Sequence, residues 1–396
     1  MTGAIGDPAS RITSEAKGSW RVLSEYPDLA GDWTRLQAQS NGTPFTHWHW
    51  ISTWLEQLPA TVVPRVFRIE DGEGLLALAL GVDAPERGKG RFFGRHSLRL
   101  QETGIETLDE ISVEYSGLLV RRGGEVAAYV ALFRALENNW EGWRRFRITA
   151  TGHGPHIASA LPAGLHCYRV LSQPCCRVDL DRLRDSGKSY VDSLKRNFRH
   201  HLRQSLRAYE ARGALQVEVA DSVEQSLTWL DELRMLHERR WRLKGKDGAF
   251  SSGFFHAFHR ALVRKGVADG YVRLTRVSAG SLVVGYLYNL HWRGTVYFYN
   301  CGLNYGALSR YDSPGSVALA ACIQQCLEEG LEAFDFLAGA QPYKRRLSHD
   351  ARTLEWIDVR RHGLAHDSER LIAQALGTGT FGIPLARQAP LTSSSE

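Results

Sequence analysis

Tyr311-Asp312-Ser313-Pro314-Gly315-Ser316 opens a helical pattern, and Phe334-Asp335-Phe336-Leu337-Ala338-Gly339-Ala340-Gln341-Pro342-Tyr343-Lys344-Arg345-Arg346-Leu347 follows it. Residues 295–300, upstream, read as a strand. The order is therefore strand, glycine-containing loop, helix, strand, which points to an α/β unit. Pro314 suits the first helical turn, where its missing N–H costs nothing. Gly330 stops the helix after Glu329. Free N–H groups and the positive end of the helix dipole make Ser313, Pro314, Gly315 and Ser316 a candidate anion site. An ordinary helix start has the same residues. Tyr343 is a candidate proton donor, and Lys344 is placed to neutralise an oxyanion or a phosphate; the plain alternative is a solvated basic turn. Asp335 is a candidate base or a structural buried carboxylate.

Outward from this stretch, residues 271–277 and 282–292 form a hairpin through the 278–280 turn. Helical periodicity covers residues 189–212, 223–243 and 252–265. The helix at 189–212 carries Leu194, Phe198, Leu202, Leu206 and Tyr209 on one stripe. Lys195, Arg196, Arg199, Arg203, Arg207 and Arg212 occupy its other faces. It either guides an anionic substrate (tRNA, a nucleotide sugar or an anionic lipid surface) or is a solvated amphipathic helix on the core. In the first half, Thr43-Pro44 starts a helix bearing Trp50 and Trp54 at core spacing. A hairpin spans 64–70 and 75–82, strands are expected at 112–120 and 144–151 and a helix at 124–138, and residues 152–156 read as a loop. Residues 66–77 and 272–283 share one pattern, strand, turn ending in Gly, strand, which hints at an internal duplication. The expected architecture is mixed α/β (α+β mixed): two tandem domains, each a twisted sheet flanked by helices. Their boundaries are 20–185 and 186–365, with loose ends at 1–19 and 366–396.

Composition excludes more than it assigns. The chain has 396 residues, 49 Lys+Arg and 43 Asp+Glu, for a net charge of +6. Only eight of the cations are Lys, so most of the excess is Arg, a compositional bias rather than a duplex-binding surface. The six cysteines form no CxxC, which fits a reducing, cytoplasmic setting and no metal site. Cys322 and Cys326, at i,i+4, read as small buried residues. No segment reaches transmembrane length, though peripheral membrane contact stays open. Residues 1–18 are polar and predict no secretory signal. GxSxG, GxxxxGK[ST], HExxH and the dinucleotide fingerprint are all absent.

Ser313-Pro314-Gly315, then Phe334 to Gly339, then Tyr343-Lys344-Arg345-Arg346 together resemble the BioF2-like acetyltransferase family, a branch of the GNAT superfamily once described from a cellulose-biosynthesis protein. The basic helix after Ser189, Arg240-Trp241, Thr43-Pro44-Phe45 and Trp50/Trp54 extend the likeness over roughly residues 20–361. The family is similar to FemAB-like transferases, which carry tandem GNAT domains and move amino acids from aminoacyl-tRNA. The resemblance implies acyl-CoA as co-substrate, held at Ser313 to Ser316, and an amine acceptor from a cell-envelope, polysaccharide or natural-product precursor. The loop departs from the usual Gln/Arg-x-x-Gly-x-Gly/Ala form, since Gly315 stands alone before Ser316. Tyr343-Lys344 resembles an aromatic-Lys pair near the reacting carbonyl. Arg240, Trp241, Arg196 and Tyr299 are the candidate substrate-binding residues. Two alternatives remain: aminoacyl transfer from charged tRNA, and a non-catalytic GNAT-like binding subunit.

Overall fold

The computed structural model describes residues 16–85, 96–139, 143–361 and 383–384. The expected C-terminal tail lies outside these residues except for Ile383 and Pro384. Contacts divide the chain into two units, residues 1–172 with 354–396, and residues 173–353.

The first unit runs β1 (Lys17–Val22), α1 (Leu29–Gln39), α2 (Trp48–Gln57), β2 (Arg65–Asp71), β3 (Gly74–Pro85), β4 (His96–Leu100), α3 (Glu106–Asp109), β5 (Leu119–Val120), α4 (Glu125–Asn139), β6 (Trp143–Thr151) and α5 (Gly154–Ala160). β7 (Leu165–Asp179) carries the chain into the second unit. That unit holds α6 (Leu180–Asp185), α7 (Tyr190–Ser193), α8 (Arg196–Glu210), β8 (Leu215–Val219), α9 (Val223–Arg242), α10 (Gly253–Gly266), β9 (Val272–Ala279), β10 (Leu282–Trp292), β11 (Thr295–Leu303), α11 (Pro314–Glu328), β12 (Ala333–Ala338) and α12 (Pro342–Leu347). β13 (Asp350–Arg361) returns the chain to the first unit.

In the first unit the strands lie in the order β1-β2-β3-β4-β6-β13, and only β4 and β6 are parallel. α4 follows from its apolar spacing: Ala128, Leu132, Phe133 and Leu136 are buried against the sheet. Asp358 on β13 is buried between Arg145, Arg147 and Arg360. Burial alone would raise its carboxyl, but these guanidinium groups hold it below the ordinary value.

In the second unit the order is β8-β9-β10-β11-β12-β7, and only β11 and β12 are parallel. α11 packs Val317, Ala318, Cys322, Ile323 and Cys326 into a core that includes Phe298, Phe334 and Phe336. All six cysteines are free, and Cys322 and Cys326 are buried. The units share one plan. β2-β3-β4-α4-β6 and β9-β10-β11-α11-β12 are each a hairpin, a third antiparallel strand, a helix and a parallel strand.

Some expectations change. The helix expected at 189–212 is two helices. Leu194 between α7 and α8 is extended and Lys195 is not helical, which lets Leu194 bury in the core. The strand expected at 112–120 shrinks to β5, because Ser112 and Tyr115 have φ of 46° and 49°, which a strand does not accommodate. Residues 154–160 are helix rather than loop, with Pro155 in the first turn. At the N-terminus, β1 begins at Lys17, inside the expected loose end. Among the described residues no helix is long and apolar enough to cross a membrane.

Candidate active site

β11 and β12 pair only at Thr295↔Ala333, Val296↔Phe334 and Tyr297↔Asp335, although both strands continue. Past that point they part. Register on the other side of β11 also shifts, since Tyr288 faces Asn300 while Asn289 faces Phe298. Tyr299 is thus the extra residue of a bulge, which bends the strand further. A cavity of about 520 Å³ lies at this splay. Its floor is Phe298, Tyr299, Asn300, Cys301 and Leu303 of β11. One wall is Ser313, Gly315, Ser316 and Leu319 at the start of α11, and the opposite wall is His237, Arg240, Trp241 and Lys244 of α9 and the turn after it. Gln341 and Tyr343 complete the lining with Tyr305 and Asp312.

Gly302 sets the α9 wall in place. A Cβ there would lie 2.2 Å from the Leu233 carbonyl oxygen and 2.7 Å from its Cα, so α9 crosses β11 backbone to backbone. This contact aims the end of α9 and the turn after it, residues 237–244, at the cavity. There the Trp241 indole N–H donates to His237 Nε2 at 2.9 Å. Burial pulls His237 down to about 4, so the ring is neutral and able to accept. Arg240 stacks 4.1 Å over the Tyr305 ring, and Lys244 lies 5.0 Å from the Trp241 ring.

On the α11 side Pro314 occupies the first turn and the Ser313 side chain makes no cap bond. The opening N–H groups of a helix have no intrahelical acceptor. Gly315 keeps the approach open: a Cβ there would meet Leu303 Cδ1 at 3.0 Å. Asp312 accepts from the buried Tyr209 hydroxyl at 2.6 Å and from Gly306 N–H at 2.6 Å, pinning the loop to α8. Burial pushes the Cys301 thiol up to about 12, which favours its protonated form. Tyr299 makes a 3.2 Å hydroxyl contact with Nε2 of the buried His259, whose Nδ1 contacts Tyr288 at 3.0 Å. Burial pulls His259 down to about 3 and keeps it neutral.

The structure brings Ser313, Gly315, Ser316, Arg240, Trp241, Tyr299 and Tyr343 to one cavity. Tyr343 is 37% exposed, and the buried side of its ring raises its phenol. Lys344, on α12, and Asp335, on β12, are not among the residues that line the cavity. Lys344 Nζ donates to the carbonyls of Leu337 (3.2 Å) and Ala338 (2.6 Å). Asp335 Oδ1 accepts from Leu337 N–H (2.8 Å) and Cys175 Sγ (3.1 Å). Between them they clamp Leu337, held at φ 60° where the strand breaks. Pro314 is not among the lining residues, and Arg196 is exposed at the start of α8. The sequence reading missed His237, Lys244, Tyr305, Asp312 and Gln341. Helical spacing from Arg240 reaches His237 and Lys244, Asp312 and Gln341 stand beside the residues singled out in the two opening stretches, and Tyr305 had no signal. Among the described residues no group of His, Cys, Asp and Glu forms a metal site.

A parallel strand pair that parts beside a helix N-terminus, in a mixed sheet flanked by helices, defines a GNAT-type acyltransferase fold. Residues 196–345 match the family model described as Acetyltransferase (GNAT) domain. Among solved structures the chain is similar to FemX, at 13% identity and a TM-score of 0.55 over 89% of this chain and 99% of that one. It is similar also to a conserved protein of unknown function from Bacteroides thetaiotaomicron, at 8% identity and 0.53 over 85% and 99%. At these identities the likeness is one of fold. No curated protein sequence matches the chain.

Proposed function

We propose that the second unit transfers an acyl group from a phosphate-bearing donor, acyl-CoA, to an amine. The observation that carries this reading is the cavity at the β11–β12 splay, with the first turn of α11 on one wall and Arg240 and Lys244 on the other. Such a pair suits pyrophosphate, through helix N–H groups on one side and cations on the other. The aromatic and aliphatic floor suits a thioester arm. In this reading the protein works chiefly by positioning. The amine nitrogen attacks the acyl carbonyl, the C–S bond breaks, and Tyr343, a phenol held protonated, gives its proton to the leaving sulfur. The amine proton leaves to water and returns the phenol to its starting state. Asp335 and Lys344 act as positioning residues that keep the splay open. The unit 1–172 with 354–396, built on the same plan, serves a non-catalytic role.

Thiol release from acetyl-CoA and longer acyl-CoAs, measured with a panel of amines, tests the reading. Turnover that falls at least tenfold in Tyr343→Phe supports it. Transfer from aminoacyl-tRNA with no thiol release from any CoA ester would replace it with the FemAB-like alternative, which the exposed cations of α8 favour.

A further inference from the structure

α9 has two working faces. His237, Arg240, Trp241 and Lys244 turn toward the cavity. Met235, Arg239 and Arg242 recur at spacings of four and three, which places them together on the opposite face, and Lys246 follows in the turn after the helix. All four are exposed, and Leu243 beside them is exposed as well. Met235 is 62% exposed and Leu243 73%, the highest value among the large apolar side chains described. Residues 239–247 hold five cations, Arg239, Arg240, Arg242, Lys244 and Lys246, against one acid, Asp247. The nearby acids on the helix are already engaged: Glu238 by Arg234 at 2.7 Å, and Asp231 by Arg260 at 2.8 Å.

We propose that this tip, the last two turns of α9 with residues 243–247, docks on an anionic phospholipid surface. The cations match the lipid phosphates. Leu243 and Met235 enter the interfacial region, a use that an electrostatic partner such as RNA would not reward. Leu243 lies in the turn after the helix and is 73% exposed, so the apolar side chain stands clear of the body. Lys244 belongs to both the tip and the cavity rim. Docking therefore brings the cavity within about one helix diameter, roughly 10 Å, of the lipid headgroups. The inference does not depend on the donor assigned above, because its test reads binding alone.

Flotation of the full chain with vesicles of phosphatidylcholine, with and without phosphatidylglycerol, tests it. The protein is expected to float with the anionic vesicles only, and less so at high salt. Arg239→Glu/Arg242→Glu/Lys246→Glu is expected to lower partitioning at least tenfold. Leu243→Ser is expected to lower it roughly tenfold, with an unchanged thermal melt because the side chain is exposed. Equal association with neutral and anionic vesicles, or none with either, would overturn the proposal. So would loss in the charge variant with full retention in Leu243→Ser, the pattern of a purely electrostatic polyanion surface.

Discussion

Gly302→Ala tests how the site is held together. The added methyl would sit 2.2 Å from the Leu233 carbonyl oxygen, against an ordinary contact of ~3.5 Å, so α9 or β11 must yield by ~1 Å. The contact is backbone on both sides, and no rotamer change relieves it. Overpacking of this kind costs ~1–3 kcal/mol, which lowers the melting temperature by ~2–9 °C in a unit of this size. The same shift moves Arg240, Trp241 and Lys244, so donor affinity falls along with stability. Thermal denaturation and a donor titration on the same preparation read both effects. Gly253→Ala is the control: nothing lies within 4 Å of its added Cβ, and its melt is expected to match the wild type or exceed it. A Gly302→Ala protein that melts and binds like the wild type would refute the claim that backbone contact sets the α9 wall.

Further outcomes follow from buried charges. Burial, with Asp109 nearby, raises Glu102 to about 7. A carboxyl raised on folding favours the native state at low pH and costs stability as pH climbs from the ordinary Glu range through 7. Glu102→Gln is therefore expected to gain up to ~3 kcal/mol over wild type between pH 5 and pH 8 in denaturant titrations; a pH-independent difference would contradict this. Asp358 behaves oppositely: its depressed carboxyl stabilises above the ordinary Asp range, and that contribution is lost as pH falls through its folded value. Asp358→Ala removes the carboxylate that pairs with buried Arg360 and half-buried Arg147, and an equilibrium unfolding loss of ~3–5 kcal/mol is expected. Lys344→Ala leaves the Leu337 and Ala338 carbonyls without their ammonium donor, and a destabilisation of ~2–3 kcal/mol is expected by chemical denaturation. A wild-type curve would show that Lys344 does not clamp the strand break.

The parts legible in the sequence were those with local signals. Ser313-Pro314-Gly315 marked the start of α11, and the matching hairpins at 66–77 and 272–283 marked the repeated plan. What escaped is set by distant contacts. The break at Leu194 depends on a buried leucine that overrides helical periodicity. The fate of Lys344 depends on Leu337 adopting a left-handed conformation, which its own identity gives no reason to expect. Gly302 looked like any strand glycine until α9 was seen to cross it. Strands β4 and β7 had no clear boundary in residues 86–100 and 165–179, where Arg, Gly and Pro interrupt the alternation. Tyr305 and Asp312 are held at the cavity by pairings across the fold, with Arg240 and Tyr209 respectively, whereas His237 pairs with Trp241 one turn along α9.

The central claim is that the splay cavity takes a phosphate-bearing acyl donor between α11 and α9. Isothermal titration of the full chain with acetyl-CoA, beside Arg240→Glu/Lys244→Glu, tests it most directly. The account predicts saturable binding to the wild type and at least a tenfold loss in the double variant. Equal affinity in both proteins, or no binding of any CoA ester to the wild type, would contradict it.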